Sequence, residues 1–169
     1  VWIDPTRPVK RALLTHAHAD HARAGSGEYW AVNQSEGVLR QRLGQEIKLH
    51  AVSYGETLII GEAKISFHSA GHVLGSAQIR IEVEGEVWLV TGDYKRCHDP
   101  SCTPFENVKC DVMITESTFG LPIYRWKTGH EIAKEIHQWW SEEKDHPSLL
   151  FCYAFGKAQR VLAELKALG

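Results

Sequence analysis

The chain has 169 residues, 43% hydrophobic, 24% charged and 9% aromatic, a balance that excludes intrinsic disorder and suits about one globular domain. Its 19 basic and 21 acidic residues leave a formal charge of −2, so no global charge excess marks a polyanion binder. No run reaches the ~18 apolar residues of a membrane span, no leader opens the chain, and four cysteines lack CxxC spacing, which predicts a membrane-free, cytoplasmic protein with reduced thiols.

Arg11–Thr15 is a short apolar run expected to form a buried strand, and a histidine-rich loop follows it directly. Glu28–Val32 is a weaker strand candidate. Ser35 is placed to cap a helix whose Val38, Leu39 and Leu43 share a face and which Gly44 stops. Ile65 and Phe67 alternate with polar neighbours, as do Ile79, Ile81 and Val83; Gly85 then turns the chain into Val87–Thr91, which predicts a hairpin with one wet face. Asp111–Thr115 is another short strand. Thr128-Gly129-His130-Glu131 fits a capping box, and Ile132, Ile136, Trp139 and Trp140 make one apolar helical stripe behind it. Pro147 ends that segment. Leu149–Ala154 is expected to be a buried strand, followed by a turn at Gly156 and a helix lined by Val161, Leu162, Leu165 and Leu168. Strands mixed with helices point to an α/β fold of layered sheets.

Ten histidines stand against a single methionine, and three of them fall in Thr15-His16-Ala17-His18-Ala19-Asp20-His21. A loop leaving a strand aims alternate side chains the same way, so His16 and His18 can converge on one ion while Asp20 and His21 turn toward another. Imidazole with carboxylate suits zinc, and also manganese or iron. His72 sits in the Gly-flanked turn Gly71-His72-Val73-Leu74-Gly75, and Asp93 lies just past the apolar run Leu89–Thr91. Each alone is readable as a turn residue. Together with the loop they supply His16, His18 and His72 for one metal, Asp20 and His21 for a second, and Asp93 as a bridge. Two cations roughly 3.5–4 Å apart acidify and orient a shared water, so the chemistry expected is hydrolysis.

This pattern resembles the metallo-β-lactamase superfamily, an αββα four-layer sandwich with a dinuclear site at one end of two sheets. Ala70–Ala77, Gly92-Asp93-Tyr94-Lys95-Arg96 and Thr115-Glu116-Ser117-Thr118-Phe119-Gly120 are similar to its β-CASP nuclease branch. Asp99–Cys102, Phe119–Trp126 and Tyr153–Arg160 are similar to bacterial DNA-ligase-associated exonucleases, often labelled mRNA 3′-end processing factors. The resemblance runs along essentially the whole chain. It implies the first portion of a lactamase-type domain over residues 1–145 and the start of an inserted β-CASP domain over 146–169. It also implies a metal-dependent nuclease, an exonuclease acting on DNA or RNA in DNA repair, ligation or RNA processing, with two divalent metals, zinc or else manganese. Nucleic acid is the partner implied, with DNA ligase and helicase as protein partners. The family has strands ahead of the position of Val1 and continues beyond that of Gly169, so the chain is expected to be a fragment, a poor catalyst without the last metal ligand.

Catalytic roles fall to Asp20 and to Glu116, which stands where that branch carries its motif A acid. Asp4 resembles the first-motif aspartate that supports the metal loop, against a plain Asp-Pro turn residue. Lys95 and Arg96 are candidate phosphate contacts, against a solvated pair. Phe155-Gly156-Lys157 lacks the rest of a phosphate loop, and Cys97, Cys102 and Cys110 are too irregularly spaced for a structural zinc. Trp139 and Trp140 are assigned to core or interface; His130, His137 and His146 to the surface; His50, His68 and His98 carry no role. Two alternatives stand beside the nuclease: a thioester or lactone hydrolase of the same fold, and an inactive scaffold that only binds nucleic acid.

Overall fold

A computed structural model describes Val1–Gly169. Nine strands, three α-helices and one 3-10 turn (Asn33–Ser35) follow the chain. The first sheet takes β1 (Trp2–Ile3), β2 (Arg11–Leu13), β3 (Glu28–Val32) and β4 (Leu49–Val52), all parallel and in that order. The second takes β5 (Thr57–Ile60), β6 (Ala63–Ser69), β7 (Ala77–Val83) and β8 (Glu86–Val90) as an antiparallel meander, with β9 (Val112–Ile114) added parallel to β8. Between β3 and β4 lies α1 (Glu36–Leu43), and α2 (Gly129–Glu142) and α3 (Lys157–Lys166) follow β9.

The sheets pack face to face through one core. Leu13, Val32 and Val52 meet Ile65, Phe67, Ala77 and Ile79, all nearly or wholly excluded from solvent. Burying each large side chain contributes about 1.5–3 kcal/mol. Period-2 alternation selects the faces: on β6 and β7 the residues between these, Ser66, His68, Gln78 and Arg80, lie on the opposite side. There His68 bridges Ser66 Oγ (2.9 Å) and Glu106 Oε1 (2.8 Å), and Gln78 Nε2 donates to the Glu106 carbonyl (2.7 Å), which pins the segment after Asp93 to the second sheet. The β7–β8 hairpin turns through Glu84 and Gly85, at φ 51° and 87°, the positive pair that a type I′ turn requires.

Several expectations hold, including the hairpin, β3, β9 and the capping box, in which Thr128 Oγ1 accepts from Glu131 N–H and Glu131 Oε2 from Thr128 N–H. Others need correction. Ser35 precedes α1 but does not cap it, because its hydroxyl donates to the Val32 carbonyl at 2.7 Å. Leu149–Ala154 is not a strand: no other segment pairs with it, and Leu149, Phe151 and Tyr153 stay exposed. The stripe of α2 is not core either, since Trp139 and Trp140 are 43% and 57% exposed.

By contacts the chain forms two compact units, one of Val1–His98 with Cys102–Glu116, the other of Asp99–Ser101 with Ser117–Gly169. In the second unit α2 packs on α3. All four cysteines are free, and no helix is long and apolar enough to cross a membrane.

Candidate metal centre

The histidine loop is held at both ends before any ligand is considered. Leu14 N–H donates to the Trp30 carbonyl (2.9 Å) and Ala77 N–H to the Thr15 carbonyl (2.7 Å), so the exit of β2 is tied to both sheets. The N–H groups of His21 and Ala22 then turn back to the His18 carbonyl. His72 is fixed by a second turn, in which Ser76 Oγ accepts from the N–H of His72 (3.0 Å) and of Val73 (3.1 Å). Asp93 follows β8.

Gly71 and Gly92 make this convergence possible. A Cβ on Gly71 would lie 2.4 Å from the Lys95 carbonyl oxygen, and one on Gly92 2.6–2.8 Å from the side chain of Thr15. Both residues sit at positive φ, 67° and 55°. Any side chain there would push His72 or Asp93 away from the loop.

The donor atoms meet closely. His18 Nδ1 lies 3.0 Å from His16 Nε2 and 3.4 Å from His72 Nε2, while Asp93 Oδ2 lies 3.8 Å from His16 Nε2 and 3.7 Å from His72 Nε2. All four ligand atoms fall within 4.8 Å of one another. Tetrahedral coordination with bonds of ~2.0–2.1 Å needs donor separations of about 3.3 Å, so three imidazoles and a carboxylate fit a divalent cation. The other carboxylate oxygen, Asp93 Oδ1, faces His21 Nε2 at 3.4 Å, and Asp20 Oδ2 is 3.6 Å from that same nitrogen. Asp93 thus stands between two groups of donors.

Proton positions follow from hydrogen-bond counting. Thr15 Oγ1 donates its only proton to Asp4 Oδ2 (2.6 Å), so at His16 Nδ1 (3.1 Å) it must accept, which leaves Nε2 unprotonated and facing the cluster. Burial first, then the positive charge of His21, lowers the His16 pKa to about 2, which keeps the ring neutral. Burial also lowers the His72 pKa. His21 differs: its hydrogen bonds to Asp4 (2.8 Å) and Asp93 raise its pKa to about 10, and Asp93 in turn is lowered to about 2, chiefly by His21. A cation held on that side would take the place of the proton on His21 Nε2.

Asp4 is the supporting group. It accepts from Thr15 N–H (2.8 Å), Thr15 Oγ1 and His21 Nδ1, and it does so at φ +44°, a left-handed backbone uncommon outside glycine. Glu116 joins Asp20, His21 and Asp93 around one cavity of about 600 Å³ that is also lined by apolar Ile3, Leu13, Ile81 and Val90. Lys95 is half-buried and Arg96 exposed. Sequence reasoning passed over Thr15, Gly71 and Gly92. For Thr15 the sequence offers only a common feature, a hydroxyl directly before the first histidine of the loop.

Several known proteins are similar to this chain in sequence. The chain is 32% identical over 98% of its length to a "Probable DNA ligase" of Opitutus terrae, and 34% identical over 94% to "Endoribonuclease YSH1" of Eremothecium gossypii. An "RNase J-like protein" of Methanocaldococcus jannaschii is 34% identical over 64% of the chain. The chain belongs to the β-CASP branch of the metallo-β-lactamase superfamily. This β-CASP chain spans 16%, 21% and 27% of the length of those three relatives. A crystal structure of a protein of unknown function from Enterococcus faecalis shares the fold, with a TM-score of 0.56 over 78% of this chain and 39% of that one at 12% identity. No family profile matches the chain. Relatives with nuclease names and the histidine–aspartate cluster together imply use of divalent metal.

Proposed function

We propose that this chain carries the metal centre of a nuclease that hydrolyses phosphodiester bonds in DNA or RNA. One observation carries the reading: Asp93 presents one carboxylate oxygen to His16 and His72 and the other to His21, in a chain similar to an endoribonuclease. His16, His18, His72 and Asp93 would hold one cation; Asp20, His21 and Asp93 would hold a second. Zinc suits these donors and manganese is the alternative. When bound, such a pair supplies Lewis acidity and a water acidified to near neutrality.

The remaining work belongs to the chain's own side chains. Asp20 orients the attacking water, and Glu116, lining the same cavity, orients the group that protonates the leaving oxygen. Asp4 holds the His21 ring, with its Nδ1 proton engaged, so that Nε2 faces inward. Lys95 and Arg96 receive substrate phosphates. Similarity to a probable DNA ligase favours a setting in DNA repair and ligation; exonucleolytic action, with ligase and helicase as protein partners, follows the family resemblance of the sequence motifs. Four free thiols suit a cytoplasmic setting.

The test compares end-labelled DNA and RNA with a thioester substrate, using the protein that carries this chain, loaded with Zn²⁺ or Mn²⁺. Cleavage of nucleic acid that is lost in Asp20→Ala and in Asp93→Ala is the expected result. Thioester turnover without strand cleavage would overturn the reading.

A further inference from the structure

Three exposed aromatic rings lie just after Glu116 in the chain, and the metal centre makes no use of them. Phe119 packs edge-on against Tyr124 (5.2 Å between ring centres, 79°) and against Trp126 (5.6 Å, 86°), while Tyr124 and Trp126 lie nearly parallel, 16° apart in plane and 6.2 Å between centres. The rings fix one another in place, yet they remain 61%, 40% and 72% exposed for Phe119, Tyr124 and Trp126. From Ser117 to His130 the chain carries two cations, Arg125 and Lys127, and no carboxylate. Lys127 is engaged by Glu135. Arg125 is exposed and makes no ion pair, so its guanidinium is free for an incoming anion.

A base sandwiched between two rings needs them roughly 6.8 Å apart, twice the stacking distance, so Tyr124 and Trp126 are too close to admit one. The solvent-facing side of Trp126 remains. Flat, pre-ordered rings and the exposed, unpaired guanidinium of the residue between Tyr124 and Trp126 in sequence match the two repeating parts of an unpaired nucleic acid strand, the π-face of the base and the phosphate. A duplex hides its base faces in its own stack and offers only the phosphates.

We propose that Phe119, Tyr124 and Trp126 form a base-stacking platform for an unpaired strand, with Trp126 taking the base and Arg125 an adjoining phosphate. The proposal deepens the nuclease reading above and rests on it. Phe119 and Tyr124 act as positioning residues that hold the Trp126 ring.

The test measures binding of the metal-loaded protein to a phosphorothioate-linked single strand, which resists cleavage, and to an abasic strand of equal length and charge. Trp126→Ala should weaken binding of the base-containing strand by about 5- to 150-fold and leave the abasic strand unchanged. Trp126→Leu, which keeps apolar bulk without a π-face, should behave like alanine, and Trp126→Phe should keep most of the affinity. Arg125→Ala should weaken both strands alike and flatten the salt dependence. Unchanged binding in Trp126→Ala and Trp126→Leu, as expected if the rings serve a partner protein, would overturn the platform; so would equal loss of both strands. If the wild-type protein still cleaves nucleic acid in that case, the nuclease reading stands. If it neither binds nor cleaves any strand, both fall.

Discussion

The two units differ in how much of their apolar side-chain surface they bury. Of the buried apolar residues, only Ala133 lies beyond Leu89, whereas Phe119, Trp126, Trp139, Trp140 and Phe151 in the second unit are all exposed. The same contrast holds for polar groups. In the first unit His16 is 1% exposed and its ring is fixed through Thr15 and Asp4; the hydrogen bonds of the second unit are mostly surface bonds, such as the capping box of α2. Metal ligands need positions accurate to a few tenths of an ångström, and only the first unit has the packed backbone to hold them. Rings that meet a flexible strand need exposure instead, and the second unit supplies it.

The largest way to break this contrast is at Asp93. Asp93→Ala removes the carboxylate shared by the two donor groups and should abolish metal-dependent cleavage, read with end-labelled strands, while the circular dichroism of the two sheets stays intact. Next is Gly92→Val, which drives a branched side chain into Thr15 at a positive φ and should cost about 2–4 kcal/mol by chemical denaturation. Gly85→Ala is the contrasting control. It too sits at positive φ but has nothing within 4 Å of its Cβ, so about 1 kcal/mol is expected. Asp4→Asn should lower metal affinity by about 10–100-fold in a competition titration with little loss of fold. The smallest effect belongs to the second unit: Thr128→Ala should cost about 1 kcal/mol, visible as earlier hydrogen exchange in α2 and absent from β6 and β7.

Much of the first unit is legible in sequence because its partners lie nearby in the chain. The β7–β8 hairpin declares itself through alternation and Glu84-Gly85, and the residue types and spacing of His16–His21 mark it as a candidate ligand loop. β1, β4 and β5 pass unnoticed, since two to four residues carry too little periodicity to stand out. Leu149–Ala154 is the opposite error: a run apolar enough for a buried strand, without a neighbouring strand to complete its ladder. The donors of the candidate centre could be named from sequence, but their division between the oxygens of Asp93 could not, because it depends on the close approach of Gly71 and Gly92 to segments distant in the chain. Thr15 illustrates the same limit. A hydroxyl beside a histidine is common, and only its contact with Asp4 gives it a role.

The central claim is that Asp93 joins two cation sites, and anomalous diffraction at the zinc edge from crystals of the metal-loaded protein tests it most directly. Two peaks are predicted, one against Asp93 Oδ2 among His16, His18 and His72, the other against Asp93 Oδ1 beside Asp20 and His21. A single peak confined to the three histidines, or none at either oxygen, would contradict the account.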